Sequence, residues 1–355
     1  MKMYVSILLV SFLLSGCAKR EIIDQIKIVQ SLGFDVQGDT FKVSASYASY
    51  QKKKRLRLMI AEAQTFSGIW IPHNKQSDDH IVSGQVRTLV ISEKFARKSI
   101  QDLASSLLRD PVMSNNATIV ISKQEVNTIM SETLNNPPFD LTDQINQNMK
   151  NGNTPFSNVH LVLDQYYGEG QDVYLPILNQ DKNGLIRLDG VGVFKEDKLC
   201  LLLNDKESFI LKLLKDKTKT MTGAYEFLGR ENEPIYFKIL HGKKNITNEQ
   251  NDSVVISLKL HIQLRELPKT KSSVSKSDLL ELKHDIEQHF TSGISDMLKK
   301  FQMNAVDPIG FGEIYRSNNR NWNEQEYKTK TYPNIKFEVN TEINISHSGV
   351  GIGAE

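Results

Sequence analysis

Apolar positions in this chain recur in two rhythms, and those rhythms divide it into elements. Val254, Ile256, Leu258, Leu260, Ile262 and Leu264 alternate with polar residues, the period of a long strand with one buried face. Ile335, Phe337, Val339, Thr341, Ile343 and Ile345 alternate in the same way near the end, and 235–239 predicts a shorter strand. Between them, Leu279, Leu282, Ile286, Phe290, Ile294, Leu298 and Phe301 are spaced by three or four and predict a long helix over 278–301. A helix with one apolar stripe and strands with one apolar face bury each other when the helix lies on an antiparallel sheet.

The first half predicts an α/β layer. Residues 21–29 carry Ile22, Ile23, Ile26, Ile28 and Val29, a short helix or helix-strand junction. Residues 32–36 and 40–47 predict a hairpin: Phe41, Val43, Ala45 and Tyr47 alternate with polar residues, and Gln37-Gly38-Asp39 supplies the turn. Residues 86–92 predict a strand, and 93–109 a helix striped by Phe95, Ile100, Leu103 and Leu107. Asp110-Pro111 ends that helix, because proline disfavours a helical residue before it. Residues 117–122 predict a second strand, and two strands around a helix make a β-α-β unit. A further helix over 125–134 stops before Pro137-Pro138; polar residues dominate 140–157, and 159–163 opens the next ordered segment. The stretch 180–184 reads as a turn or linker and places a domain boundary there. Beyond it, 188–194 and 198–203 predict a second hairpin and 207–214 a short amphipathic helix. Cys200, inside Leu199-Cys200-Leu201-Leu202-Leu203, is expected to be a buried small hydrophobe.

The apolar run at the start has a different meaning. Residues 3–14 are mostly apolar, short of the roughly 20 residues of a membrane-spanning helix. Lys2 precedes the run, and Lys19, Arg20 and Glu21 follow close behind. A charged start and a short hydrophobic centre are the layout of a secretory signal. Leu14-Ser15-Gly16-Cys17 resembles the bacterial lipobox, in which the thiol receives a diacylglyceryl group and the chain is cut before it. Cys17 is thus the expected lipid-attachment residue and 1–16 the signal peptide. Each buried methylene contributes about 0.8 kcal/mol and one acyl chain holds only marginally, so two chains on one glycerol make a stable tether.

Composition narrows the chemistry. With 44 basic and 42 acidic residues among 355, the formal charge is +2, and no global field drives the chain onto nucleic acid. Cys17 and Cys200 are the two cysteines; with Cys17 acylated, a disulfide framework and a cysteine-rich zinc site are excluded. Lys52-Lys53-Lys54-Arg55-Leu56-Arg57 is read as a solvated strand end or loop, with contact to anionic headgroups as the functional alternative. His73, Asp78, Asp79 and His80 cluster in a polar stretch, a poor metal site without cysteine. His284 and His289, five apart, are separated by about 500° of helix rotation and do not share a face. Gly310-Phe311-Gly312 after Pro308 reads as a tight turn, and 349–353 as a flexible tail end. The phosphate-binding G-x-x-x-x-G-K-[ST], G-x-S-x-G and H-E-x-x-H patterns are absent. The residues alone describe a tethered α+β protein with no catalytic, cofactor-binding or metal-binding residue in view.

A series of short motifs adds to this. After Leu14-Ser15-Gly16-Cys17 and Arg20-Glu21-Ile22 come Leu32-Gly33-Phe34-Asp35-Val36, Gly84-Gln85-Val86-Arg87, Ser92-Glu93-Lys94-Phe95-Ala96 and Leu107-Leu108-Arg109-Asp110-Pro111. Gly190-Val191-Gly192-Val193-Phe194-Lys195 then precedes Asp197-Lys198-Leu199, and Asp307-Pro308-Ile309-Gly310-Phe311-Gly312 precedes Trp322 and Tyr332-Pro333. In order and spacing this series resembles the Ger(x)C family, the lipoprotein C subunits of bacterial spore germinant receptors. There are departures: Ala18-Lys19 stand where the family often has Trp-Asp, Gln85 where it commonly has His, and 48–83 match poorly.

The resemblance implies a non-enzymatic subunit without a cofactor, on the outer face of the spore inner membrane beside two integral membrane subunits, responding to small nutrients. It also implies three successive mixed α/β domains. The expected layout is signal 1–16, an N-terminal α/β domain 17–183, a small middle domain 184–232 and a C-terminal domain 233–355 with the long helix on its antiparallel sheet. Two alternatives have different requirements. A solute-binding lipoprotein that captures a nutrient directly needs a cleft between two similar lobes; a tethered enzyme such as a cell-wall hydrolase needs paired carboxylates in a groove.

Overall fold

The computed structural model of the protein describes residues 26–48, 56–110, 112–135, 141–217, 221–229, 232–249, 253–266 and 275–346. Cys17, the signal 1–16, the basic residues 52–55 and the tail 349–353 lie outside the described residues.

Strands β1 (Ile26–Gln37), β2 (Thr40–Ala48), β3 (Leu56–Ala63), β4 (His80–Val82), β5 (Thr88–Ser92), β6 (Thr118–Ser122), β7 (Tyr174–Gln180), β8 (Ile186–Lys195) and β9 (Lys198–Leu203) form one sheet. Its order is β3-β2-β1-β5-β6-β7-β8-β9, with β4 beside the start of β1. The centre, β1-β5-β6-β7, is parallel, and antiparallel hairpins flank it on both sides. β5 and β6 are buried at every residue, as helices on both faces of a parallel sheet impose. After α1 (Trp70–Gln76), the helices α2 (Glu93–Lys98) and α3 (Gln101–Arg109) lie on one face, over Leu89, Ile91 and Ile119. On the other, α4 (Val126–Asn135) and α5 (Leu141–Asn151) cover Val90 and Val120. α6 (Val159–Tyr167) returns to the first face.

Several expectations need correcting here. Of the short helix or helix-strand junction expected over 21–29, residues 26–29 open β1, where 26–28 pair with β4 and Val29 with β2, while 21–25 lie outside the described residues. The single helix over 93–109 is two: Ser99 is extended, and Ile100 N–H leaves the helical ladder for Asp197 O at 2.8 Å. The polar stretch 140–157 holds α5, whose Leu141, Ile145 and Met149 share a face at four-residue spacing.

The second sheet is β10 (Gly223–Leu228), β11 (Pro234–Glu249), β12 (Ser253–Glu266) and β13 (Lys336–Ser346), in that order. The long helix α8 (Lys276–Asn304) packs Leu282, Ile286, Phe290, Ile294, Leu298 and Phe301 into its core. This sheet is mixed rather than antiparallel, since β13 runs parallel to β12. The helix carries the chain back along the sheet, so the next strand starts at the end where β12 started.

The small middle domain 184–232 is not a separate layer. β7 and β8, on either side of the expected boundary, are antiparallel neighbours from Tyr174↔Val193 to Gln180↔Ile186, while β10 belongs to the second sheet. The turn signal at 180–184 closes a hairpin: Asp181 Oδ1 accepts from Asn183 N–H and Leu185 N–H, and Gly184 takes φ +83°. Between the two sheets lies α7 (Asp205–Lys215), whose residues from Ser208 to Leu214 are all buried. Its middle turns are packed on every side, Lys212 included.

Candidate functional site

The most elaborate polar construction among the described residues sits where the two sheets meet. The segment 169–172, ahead of β7, clasps the turn that follows α8. Asp172 N–H donates to Asp307 O at 2.9 Å, and Asp307 N–H donates back to Asp172 Oδ2 at 2.6 Å. Asp307 Oδ1 accepts from Gly310 N–H at 2.8 Å and Oδ2 from Gly312 N–H at 2.9 Å. Gly310, at φ +87°, bends the backbone so that these amides, at the start of α9 (Phe311–Asn318), face the carboxylate. Glu313 N–H donates to Gly170 O, Gly170 N–H to Glu324 Oε1, and Trp322 Nε1 to Glu169 Oε2. Tyr327 OH reaches Asp307 Oδ2 at 3.4 Å, and Tyr332 OH donates to Val306 O.

Burial sets the electrostatics of this joint. It pushes the Asp307 carboxyl up to about 6, with the nearby Asp172 adding to the effect, against the amide donors that favour the anion. Asp172 is raised by burial as well, and Tyr327 and Tyr332 are raised by burial and by the two carboxyls. Lys328, paired with Glu324, is raised by Glu324 and Asp172 in spite of its burial. Because Asp307 holds its proton more tightly folded than unfolded, its stabilising contribution is complete below about pH 4 and is lost as pH rises through about 6. Asp307→Asn, which stays neutral, is expected to gain stability relative to the parent on the order of 2–3 kcal/mol between pH 4 and 7. Urea unfolding of both proteins across that range checks it; parallel pH profiles would refute it.

A second buried group lies beside it. Lys212 Nζ, on α7, donates to Asp216 Oδ2 at 2.5 Å and to Met149 O at 2.8 Å, so α7 is tied to α5. Lys215 Nζ donates to Ile309 O and Lys244 Nζ to Leu214 O. Burial, then Lys215, brings the Lys244 amine down to about 8. These amines hold backbone in place across the joint.

The residues that the sequence brought forward are scattered. Cys17 lies outside the described residues. Cys200 is exposed rather than buried: on β9, Leu199, Leu201 and Leu203 face the core, and the intervening residue faces out. His73 is buried in α1 with Nδ1 against Ile69 O, while Asp78 and Asp79 lie beside Lys27. Among the described residues no group of three or more His, Cys, Asp or Glu is placed to hold a metal. His284 is exposed; His289 stacks on Phe227 at 4.0 Å and meets Tyr225 OH at 3.1 Å, and burial brings it down to about 4. The Gly310 turn falls where expected. Asp172, Asp307, Lys212 and Asp216 were not singled out individually, because spacing along the chain does not mark a charge that tertiary packing will bury. Among the described residues no helix is long and apolar enough to cross a membrane.

Residues 19–180 match the family described as "Spore germination protein N-terminal domain" and 189–349 the one described as "Spore germination B3/ GerAC like, C-terminal". The chain is 26% identical over 361 residues to "Spore germination protein GerQC" of Bacillus cereus, covering 99% of each. Its fold is similar to that of "Crystal Structure of the GerBC protein", with a TM-score of 0.59 at 16% identity, over 89% of this chain and 97% of that one. The clasp of 169–172 on 307–324 joins the two matched regions.

Proposed function

We propose, from the premise that the chain belongs to the Ger(x)C family of spore germination proteins, that it is the lipid-anchored, non-catalytic subunit of a nutrient germinant receptor. In this reading Cys17 carries a diacylglyceryl group on the outer face of the spore inner membrane. The body stands beside two integral membrane subunits of the same receptor, and spores need it to germinate on the cognate nutrient. The observation that carries the reading is the match of both family halves, 19–180 and 189–349, behind a Leu-Ser-Gly-Cys sequence ending at Cys17. The two sheets differ in size and strand order, so the paired similar lobes of a solute-binding protein find no support.

Cys17→Ala is the test. In spores carrying only the variant, it is expected to move the protein from the membrane to the soluble fraction and to abolish its acyl mass. Loss of the acyl group removes the buried methylenes of two chains, at about 0.8 kcal/mol each, and leaves nothing comparable to replace them. A variant that stays quantitatively in the membrane fraction would contradict the tether. Germination unimpaired by deletion of the whole chain, for every nutrient tried, would contradict the receptor role.

A further inference from the structure

The core on one face of the first sheet is not filled. Between β1, β5 and α3 lies a cavity of about 260 Å³, open to solvent on one side. Phe34, Phe66, Leu89, Leu103, Leu107 and Met113 wall it. The Phe34 and Phe66 rings are 4.6 Å apart and make one wall aromatic. The small residues Ser67 and Ser106 also line the cavity, where larger side chains would close it. An apolar cavity of about 150 Å³ takes up benzene, so this one has room for a body of roughly six to ten heavy atoms.

The polar groups are few and differ in sign. Arg109, the last residue of α3, lines the cavity, and its guanidinium makes no hydrogen bond or ion pair among the described residues. Asp110 follows it, and its Oδ1 accepts from Val112 N–H at 2.9 Å and Met113 N–H at 3.3 Å, which fixes the carboxylate beside the cavity. An apolar pocket with a few fixed polar groups is the usual form of a small-molecule site. A guanidinium pairs with a carboxylate through two parallel hydrogen bonds.

We propose that this cavity binds a small carboxylic acid with a compact apolar body, its carboxylate on Arg109 and its body between the phenylalanine rings and the leucines of α3. An α-amino acid satisfies this chemistry and adds an ammonium for Asp110; a simple aliphatic acid satisfies it without one. The inference rests on neither the tether nor the receptor reading: vesicles only keep the full chain dispersed, and the heat of binding reads the cavity whether or not Cys17 is acylated.

The full chain, reconstituted in phospholipid vesicles, is titrated calorimetrically with leucine and with 4-methylpentanoate, which is leucine without its amine. Empty vesicles supply the blank. At least one ligand is expected to saturate the protein with a dissociation constant of about 0.1–1 mM, ordinary for so small a molecule. Tighter binding of leucine assigns the amino acid, and tighter binding of 4-methylpentanoate the simple acid; both support the site. Arg109→Gln, an exposed change at a helix end, is expected to weaken binding about tenfold. Ser106→Phe, which plugs the cavity, is expected to abolish binding while melting no lower than the parent; if it melts lower, Arg109→Gln alone decides. No saturable heat from either ligand up to about 10 mM, or an affinity in Arg109→Gln within twofold of the parent, overturns the proposal.

Discussion

Lys212→Ala is expected to destabilise the protein by about 3–5 kcal/mol, far more than the loss of an exposed lysine. The side chain is 1% exposed and lies on a helix buried from Ser208 to Leu214. Truncation removes the ammonium and leaves the Asp216 carboxylate, 6% exposed, without its hydrogen-bonded cation. It also strands Met149 O, the point where α7 is tied to α5. The large term is the stranded anion rather than the lost attraction, because a buried ion pair repays little more than its own desolvation. The double variant Lys212→Met with Asp216→Leu is therefore expected to recover most of the loss, since nothing charged is left behind. Urea unfolding of the parent, the single and the double variant measures all three. A single variant within about 1 kcal/mol of the parent would refute the argument, and a double variant as unstable as the single would refute its explanation.

The elements whose apolar rhythm runs longest were the most legible in the sequence. β12, β13 and α8 lie where the alternation and the three-four spacing put them, because each turns one apolar face to the shared core over most of its length. Rhythm carries no direction; the direction of β13 lies instead in the long helix between the two strands, which returns the chain for a parallel pairing. Nor does a turn signal say what it turns. The turn-or-linker signal at Asp181 and Gly184 is the turn of a hairpin inside one sheet, and local hydrogen bonding alone does not tell that from a domain boundary. α5 was hidden because its apolar positions are thinly spread among Asn and Gln, and three buried apolar residues suffice to dock it. The junction fared worst. Asp172 and Asp307 are 135 residues apart, and only the fold brings the backbone N–H of one to the carboxylate of the other. The motif around Asp307 was visible as a resemblance, and Gly310 as a turn, but the partner across the joint was not.

That partner can be tested through a glycine. Gly170→Ala is expected to destabilise the protein by roughly 3–5 kcal/mol, from two separate causes. Gly170 holds φ +81°, a backbone conformation that costs an alanine about 1–2 kcal/mol wherever it occurs. In addition, the new Cβ meets Gly312 C at 2.4 Å and Glu313 N at 2.5 Å. These are backbone atoms, so no side chain can rotate out of the way, and the clasp must part along with the Glu313 N–H bond to Gly170 O. Gly38→Ala separates the two causes. Gly38 turns the β1–β2 hairpin at φ +60°, and its added Cβ meets nothing within 4 Å. It is expected to show the conformational strain alone, about 1 kcal/mol. The difference between the two variants in chemical unfolding thus reads the closeness of the joint between the two family-matched regions. If Gly170→Ala loses no more stability than Gly38→Ala, the sheets are not held together by direct backbone approach at this point. The buried carboxylates of Asp172 and Asp307 would then have to carry the joint through hydrogen bonds alone.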